Sequence, residues 1–200
     1  MDKLATTQAP IDPLIAKRWS PRAFDASRPV SQEQVIALME AARWAPSCFG
    51  DEPWRYIVCN RGDNAEAWEK LHSCLMERNQ LWAKNAPLLI LSTAMPNFRH
   101  NNKPNRWHQY DTGAANENIC LQAAAMGMAA HQMGGYDGDK ARTLFNIPAE
   151  ISLLSVIAVG YQGKLKDLAE TFHEDETAAR QRLPLEQHCF NGEWANPLSV

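Results

Sequence analysis

A rigid joint between a helix and a strand, at residues 41–54, is the sequence feature that most constrains the fold. The helical pattern ends at Pro46, because proline lacks an amide hydrogen and clashes with the preceding helical turn. A short loop follows, Pro53 stiffens its exit, and a strand-like run begins at Trp54. A loop fixed between rigid elements can present both apolar surface and hydrogen-bonding groups to a ligand. We therefore expect this loop to hold a flat heterocycle.

Composition places the chain among ordinary globular proteins. Its 200 residues predict one domain over residues 1–200, and 45% hydrophobic with 22% charged residues is typical of that class. The net charge of −3 provides no basic surface for nucleic acid or an anionic membrane. The apolar runs are too short to span a bilayer, and the first residues lack the apolar core of a signal peptide. Five scattered cysteines without a Cys-x-x-Cys pair argue against disulfides and zinc, so we expect reduced thiols and a cytoplasmic location.

Three strands are predicted, at residues 54–60, 87–93 and 153–161. The first is rich in aromatic and β-branched residues, and the other two are apolar runs of the kind that is buried on both faces. Helical patterns separate them, which predicts an α+β or α/β domain with a small sheet. The polar residues 95–105 predict a loop or a mobile lid.

Capping signals and apolar periodicity predict the helices. The expected capping residues are Asp12, Ser31 and Asp63, and a further helix is expected from Asp137 to about Phe145. The longest candidate covers residues 107–130 and is dense in alanine and glycine. Small side chains permit another helix to approach closely, so we place this helix centrally.

An alternating set of arginines suggests an anion site. Arg18, Ser20 and Arg22 are two residues apart in a segment expected to be extended, so their side chains face the same side. Two guanidinium groups and a hydroxyl make a clamp for a phosphate, although these arginines could instead cap a helix or lie in solvent. Arg180 and Arg182 repeat the alternation, and they either complete the same site or belong to a solvated charged face.

The proline-bounded loop offers mixed chemistry to a flat ligand. Ser47 has a hydroxyl, Gly50 permits close approach of the backbone, and Trp44 with Pro46 adds apolar surface. Cys48 is interpreted as a small hydrophobic residue, because no histidine can be identified as its catalytic partner.

A glycine pair, Gly134-Gly135, is the third candidate. Two glycines permit backbone amides to face a ligand at contact distance, or they mark a plain turn. Neither a Gly-x-Gly-x-x-Gly motif nor a Walker lysine is present, so the common nucleotide-binding loops are excluded.

In this order, the segments resemble the nitroreductase family of FMN-dependent oxidoreductases, from about residue 13 to residue 194. Four blocks carry the resemblance: Arg18-x-Ser20-x-Arg22-x-Phe24; Ala42-Arg43-Trp44-Ala45-Pro46-Ser47 through Pro53-Trp54-Arg55-Tyr56; the helix of residues 111–128 with Met133-Gly134-Gly135-Tyr136 and Ile147-Pro148; and residues 156–160 with Arg180-x-Arg182-x-Pro184-Leu185. Each block is weak alone, but four in sequence at ordinary family spacing are specific.

The resemblance implies a three-layer α/β/α fold with a small, mainly antiparallel central sheet. It implies a homodimer with FMN at the subunit interface, in which the small-residue helix of residues 107–130 forms the dimer core. The loop containing Ser47 and Gly50 would serve the partner's site, and a tail of about residues 183–200 would pack on the partner. The implied cofactor-binding residues are Arg18, Trp19, Ser20, Arg22, Pro46, Ser47, Cys48, Gly50, Met133, Gly134, Gly135, Arg180 and Arg182.

The resemblance also implies an activity. NADH or NADPH would reduce FMN by hydride transfer and leave, and a nitroaromatic, quinone or activated alkene would then take a hydride in a ping-pong cycle. Because the flavin carries this chemistry, no catalytic side chain is expected. The alternatives are a flavin-dependent dehydrogenase or dehalogenase of the same fold, and a non-catalytic flavin-binding protein. Gly50 and Glu52 stand where many members have Asn and Gln, which bears on redox potential and substrate class.

Overall fold

The centre of the computed structural model, which describes residues 3–199, is a four-stranded antiparallel sheet. Its strands are β1 (Trp54–Asn60), β2 (Leu88–Ala94), β3 (Ala129–Met133) and β4 (Ser152–Gly160). Their order is β1-β2-β4-β3, with every neighbouring pair antiparallel, so β1 and β3 form the two edges. The predicted α/β/α fold with an antiparallel sheet is confirmed.

Helices cover both faces of this sheet. Within the described residues they are α1 (Pro13–Lys17), α2 (Gln32–Arg43), α3 (Ala65–Cys74), α4 (Glu77–Ala83), α5 (His108–Ala125), α6 (Gly138–Leu144) and α7 (His173–Thr177). The side chains of β2 alternate between two cores, because Leu88 and Ile90 pack with α2 and α5 whereas Leu89 and Leu91 pack with α3, α4 and α6. Burial on both sides explains why all seven residues of β2 are apolar or small. No helix among residues 3–199 is both long and apolar enough to cross a membrane.

The long helix is shorter than the sequence predicts. It ends at Ala125, and Gly127 has a φ of 70°, a left-handed conformation that glycine adopts without strain and that commonly ends helices. The chain then forms β3, whose first two residues fall within the helix predicted over residues 107–130. Alanines at its start favour helices, and pairing with β4 overrides that preference. The run predicted as the third strand is consequently the fourth.

The start of α3 also differs from the prediction. Asp12 and Ser31 cap their helices as expected, and Asp137 caps α6. For α3, however, the cap is Asn64, whose side chain accepts a 2.9 Å hydrogen bond from the Ala67 amide. Asp63 instead accepts a bond from the Asn60 amide group. Met76, an apolar residue that fits the buried stripe of α3 by its spacing, is instead 53% exposed and is the N-cap of α4, a helix that the sequence does not predict.

Candidate functional site

A basic cleft of about 320 Å³ lies where the two ends of the chain meet. Its lining residues are Lys3, Arg18, Trp19, Ser20, Arg22, Asp175, Ala178, Ala179, Arg180 and Arg182. The structure therefore brings together the predicted clamp after α1 and the predicted late arginines after α7. This charge is local, since the whole chain has a net charge of −3.

The clamp side chains make only a few contacts of their own. Arg18 donates to the Ser20 hydroxyl over 3.3 Å, and its Nε lies 3.4 Å from the Glu117 carboxylate of α5. Arg22 Nη1 lies 3.5 Å from Asp175 Oδ2. A guanidinium group has five N–H donors, so these contacts leave donors for an anion. The predicted clamp is thus oriented without being fully paired.

The late arginines differ from each other. Arg180 Nη1 donates to the carbonyls of Lys3 and Ala16 over 2.8 and 2.7 Å, so this side chain also joins the two ends of the chain. Burial lowers the pKa of Arg180, and the positive charges of Arg18 and Arg182 lower it further. Arg182 is exposed and bonds only the neighbouring carbonyl of Gln181 within residues 3–199. An anion in the cleft would relieve the repulsion among these cations, so the donor set fits a phosphate group.

The clamp adjoins the edge strand β3 through a partly buried histidine. His131 Nδ1 donates to the Pro21 carbonyl over 2.9 Å, and the His131 ring packs on Trp82 at 4.6 Å between centroids. Sequence analysis missed this contact, because 110 positions separate its two residues. Burial lowers the pKa of His131 to about 4, and the nearby charges of Arg22 and Arg18 act in the same direction.

Acid is expected to destabilise the protein through His131. Its pKa is about 4 when folded and 6.5 ordinarily, so between these values the unfolded chain binds a proton that the folded chain does not. Stability is complete above pH 6.5 and falls toward pH 4, by up to about 1.4 kcal/mol per pH unit. The variant His131→Gln retains a donor for Pro21 but does not titrate. Urea unfolding across this range should therefore give a shallower slope for the variant, and equal slopes would contradict the assignment.

The two glycines after Met133 have different surroundings. A Cβ atom on Gly135 would lie 2.9 Å from the side-chain nitrogen of Asn79, which donates to the Gly135 carbonyl, so a larger residue there would displace this side chain of α4. A Cβ atom on Gly134 would meet no atom within 4 Å, and this residue is exposed. The backbone at Gly134 is therefore accessible at the end of β3, and the contact of this pair with a flat ligand stays a prediction.

The proline-bounded loop lies apart from the basic cleft of its own chain. The Cys48 amide donates to Asp111 at the start of α5 over 3.0 Å, and the Ser47 hydroxyl accepts from the Glu52 amide over 3.0 Å. Neither these residues nor Pro46 and Gly50 line the cleft in the part of the chain that the structure describes. The structure thus separates the predicted cofactor residues into three groups, namely those of the cleft, those of this loop, and residues 133–135 at the end of β3.

The segment predicted as a lid is bonded to this loop. The buried Asp51 carboxylate accepts from the Arg99 amide over 2.8 Å, and the Arg99 guanidinium donates to the Gly50 carbonyl over 3.0 Å. Phe49, with a φ of 56°, is 83% exposed and contacts Phe98 edge to face. Residues 47–53 and 95–105 therefore form one surface with exposed aromatic rings.

Comparison with known proteins identifies the family of this chain. Residues 15–161 match the model of the nitroreductase family. An uncharacterized 15.4 kDa protein from the ask 5′ region of Mycolicibacterium smegmatis is 32% identical over 149 residues, which cover 72% of this chain and 99% of that protein. An Archaeoglobus fulgidus protein provisionally named NADH dehydrogenase/NAD(P)H nitroreductase is 30% identical over 161 residues, or 78% of this chain and 88% of that protein.

Solved structures agree with the sequence matches. A crystal structure described as an oxidoreductase containing FMN is 34% identical, with a TM-score of 0.89 and coverage of 96% of both chains. A nitroreductase family protein from Clostridium difficile 630 is 23% identical and has the same fold, with a TM-score of 0.68 over 90% of this chain and 96% of that one. The chain belongs to the nitroreductase family of flavin-dependent oxidoreductases.

Proposed function

We propose that this protein is an FMN-dependent oxidoreductase that uses NADH or NADPH to reduce a small-molecule acceptor. The observation that carries the proposal is the basic cleft, in which residues from both ends of the chain form an anion site beside β3. The similarity to an oxidoreductase containing FMN supports the same cofactor.

The chain's own residues bind and orient the cofactor. Arg18, Ser20 and Arg22 donate to its phosphate, with Arg182 as a further cation at the mouth of the cleft. Planar guanidinium groups match the geometry of phosphate oxygens, which fixes this end of the ligand. The open space beside Gly134 lets the ring approach the backbone after Met133. When bound, FMN supplies the hydride chemistry, from the nicotinamide to a nitroaromatic, quinone or activated alkene in ping-pong order.

A second copy of the chain completes the site. Pro46, Ser47, Cys48 and Gly50 are separate from the cleft of their own chain, and we assign them to the cleft of the partner. Large apolar side chains exposed on the single chain support this assembly, notably Trp44, Phe49, Tyr110 and Trp194. A patch of such side chains is typical of an interface.

We further propose one domain over residues 1–200 and a cytoplasmic location. The tail of about residues 183–200 packs on the partner in this proposal. In its described part, Leu183 is 65% and Trp194 is 88% exposed on the single chain. These side chains therefore have apolar area available for a second subunit, while Val200 lies outside the described residues.

The purified protein is expected to be yellow, to release FMN on denaturation, and to lose its flavin absorbance when mixed with NADH or NADPH. Stopped-flow absorbance measures this reduction, and a panel of nitroaromatics, quinones and activated alkenes then tests reoxidation. A flavin that neither nicotinamide bleaches would contradict the reductase assignment and leave a flavin-binding protein. A colourless protein that also ignores added FMN would contradict the cofactor itself.

A further inference from the structure

Glu176 is a buried carboxylate bound to the backbone of the phosphate clamp. It is 3% exposed, and its Oε2 and Oε1 accept hydrogen bonds of 2.8 and 3.1 Å from the amides of Arg22 and Ala23. Burying a charged group is costly unless it is paired and hydrogen-bonded, and two consecutive amides satisfy this carboxylate. Glu176 therefore fixes the backbone at the residue whose side chain enters the cleft.

The position of Glu176 couples the two halves of the cleft. It belongs to α7, which leads directly to the late arginines, while its partners Arg22 and Ala23 lie 154 and 153 positions earlier. Its own carbonyl accepts a 2.9 Å hydrogen bond from Lys3 Nζ, another lining group of the cleft. One residue thus connects three chain segments that surround the anion site.

Asp175, the preceding residue, contacts the side chain of the same arginine. Its Oδ2 lies 3.5 Å from Arg22 Nη1 and 3.4 Å from Arg78 Nη2, and its side chain is 45% exposed. Among the described residues that line the cleft, it is the one acidic residue. Its carboxylate lies beside one donor of Arg22 that a phosphate would use, and it repels an incoming anion.

We propose that these adjacent carboxylates set the affinity of the phosphate site in opposite directions. Glu176 is a positioning residue that holds the clamp in its binding geometry, and Asp175 competes with the phosphate for Arg22. Both roles rest on FMN being the ligand of the cleft, as proposed above. Riboflavin, which has the same ring system but no phosphate, separates effects on this site from effects on the whole fold.

The test is a fluorescence titration of the flavin-depleted full chain with FMN and with riboflavin. Glu176→Gln retains shape but loses one of two acceptors, so we expect roughly tenfold weaker FMN binding. Asp175→Asn removes the competing charge, so we expect FMN binding that is about three- to tenfold tighter. Riboflavin affinity should stay within about twofold of wild type in both variants, because riboflavin makes no phosphate contact.

Glu174→Gln is the matched control, since it removes the same charge from an exposed position on α7 that does not line the cleft. It should leave the affinity for FMN unchanged. Equal losses of FMN and riboflavin affinity in Glu176→Gln would overturn the positioning role and leave a structural one. Unchanged FMN binding in Glu176→Gln, or weaker FMN binding in Asp175→Asn, would overturn the corresponding half of the proposal. Wild-type protein that binds neither flavin would overturn the proposed function itself.

Discussion

Replacing Arg22 with alanine is expected to weaken FMN binding by roughly tenfold to a hundredfold. A hydrogen bond that involves a charged group contributes about 1.5–3 kcal/mol, and Arg22 is the clamp residue whose backbone and side chain are both fixed at the cleft. Flavin fluorescence during titration of the flavin-depleted protein measures the change. Riboflavin should bind the variant and the wild type equally, because it has no phosphate for Arg22 to contact.

Arg78→Ala is the control for this substitution. Arg78 shares two partners with Arg22, since its Nη2 lies 3.4 Å from Asp175 and its guanidinium lies 5.1 Å from the Phe172 ring. It does not line the basic cleft in the described structure. We therefore expect Arg78→Ala to change FMN affinity by less than about twofold. If Arg22→Ala binds FMN as tightly as wild type, the phosphate lies elsewhere.

Local patterns in the sequence account for most of the fold. Pro46 and Pro53 mark the loop before β1, and the capping box at Ser31 marks α2 because its signals lie within one helical turn. The missed strand β3 has no comparable local signal. Its alanines favour continuation of the helix. It is a strand because it pairs with β4, which comes later in the chain. At α3 the cap is Asn64 and not the neighbouring Asp63, because the Asp63 carboxylate accepts a hydrogen bond from the Asn60 side chain.

In the candidate site, too, the sequence predicts the features that depend on local spacing and not those that depend on distant residues. The alternation of Arg18, Ser20 and Arg22 is local, so an extended backbone is sufficient to predict a clamp. The late arginines join this clamp only through the tertiary fold. From the sequence alone, they could equally belong to a solvated charged face. The contacts of Glu176 with Arg22 cross 154 positions, and no spacing rule encodes them. The residues that line the cleft are therefore easier to predict from the sequence than the residue that holds the clamp backbone in place.

Replacing Gly113 with arginine is expected to separate the proposed dimer and to abolish FMN binding, while the single chain stays folded. Gly113 is exposed on α5 one turn from Tyr110, an exposed side chain that we assign to the interface, and a Cβ atom there would meet no atom within 4 Å. Arginine is also a better helix former than glycine, which is about 0.8–1 kcal/mol less favourable than alanine in a helix. Between two chains, however, a buried and unpaired guanidinium costs several kcal/mol. Light scattering should then report the mass of one 22.5 kDa chain instead of two.

Gly62→Arg makes the matched comparison. Gly62 is exposed in the turn after β1, where a Cβ atom would make only an ordinary 3.8 Å contact with Asn60, so the same arginine is introduced outside α5. This variant should stay dimeric and bind FMN. If Gly113→Arg separates the chains and still binds FMN, the loop containing Ser47 and Gly50 does not serve a partner's site. If Gly113→Arg remains dimeric with unchanged affinity, the face of α5 around Gly113 is not the interface, and association uses another of the exposed apolar surfaces.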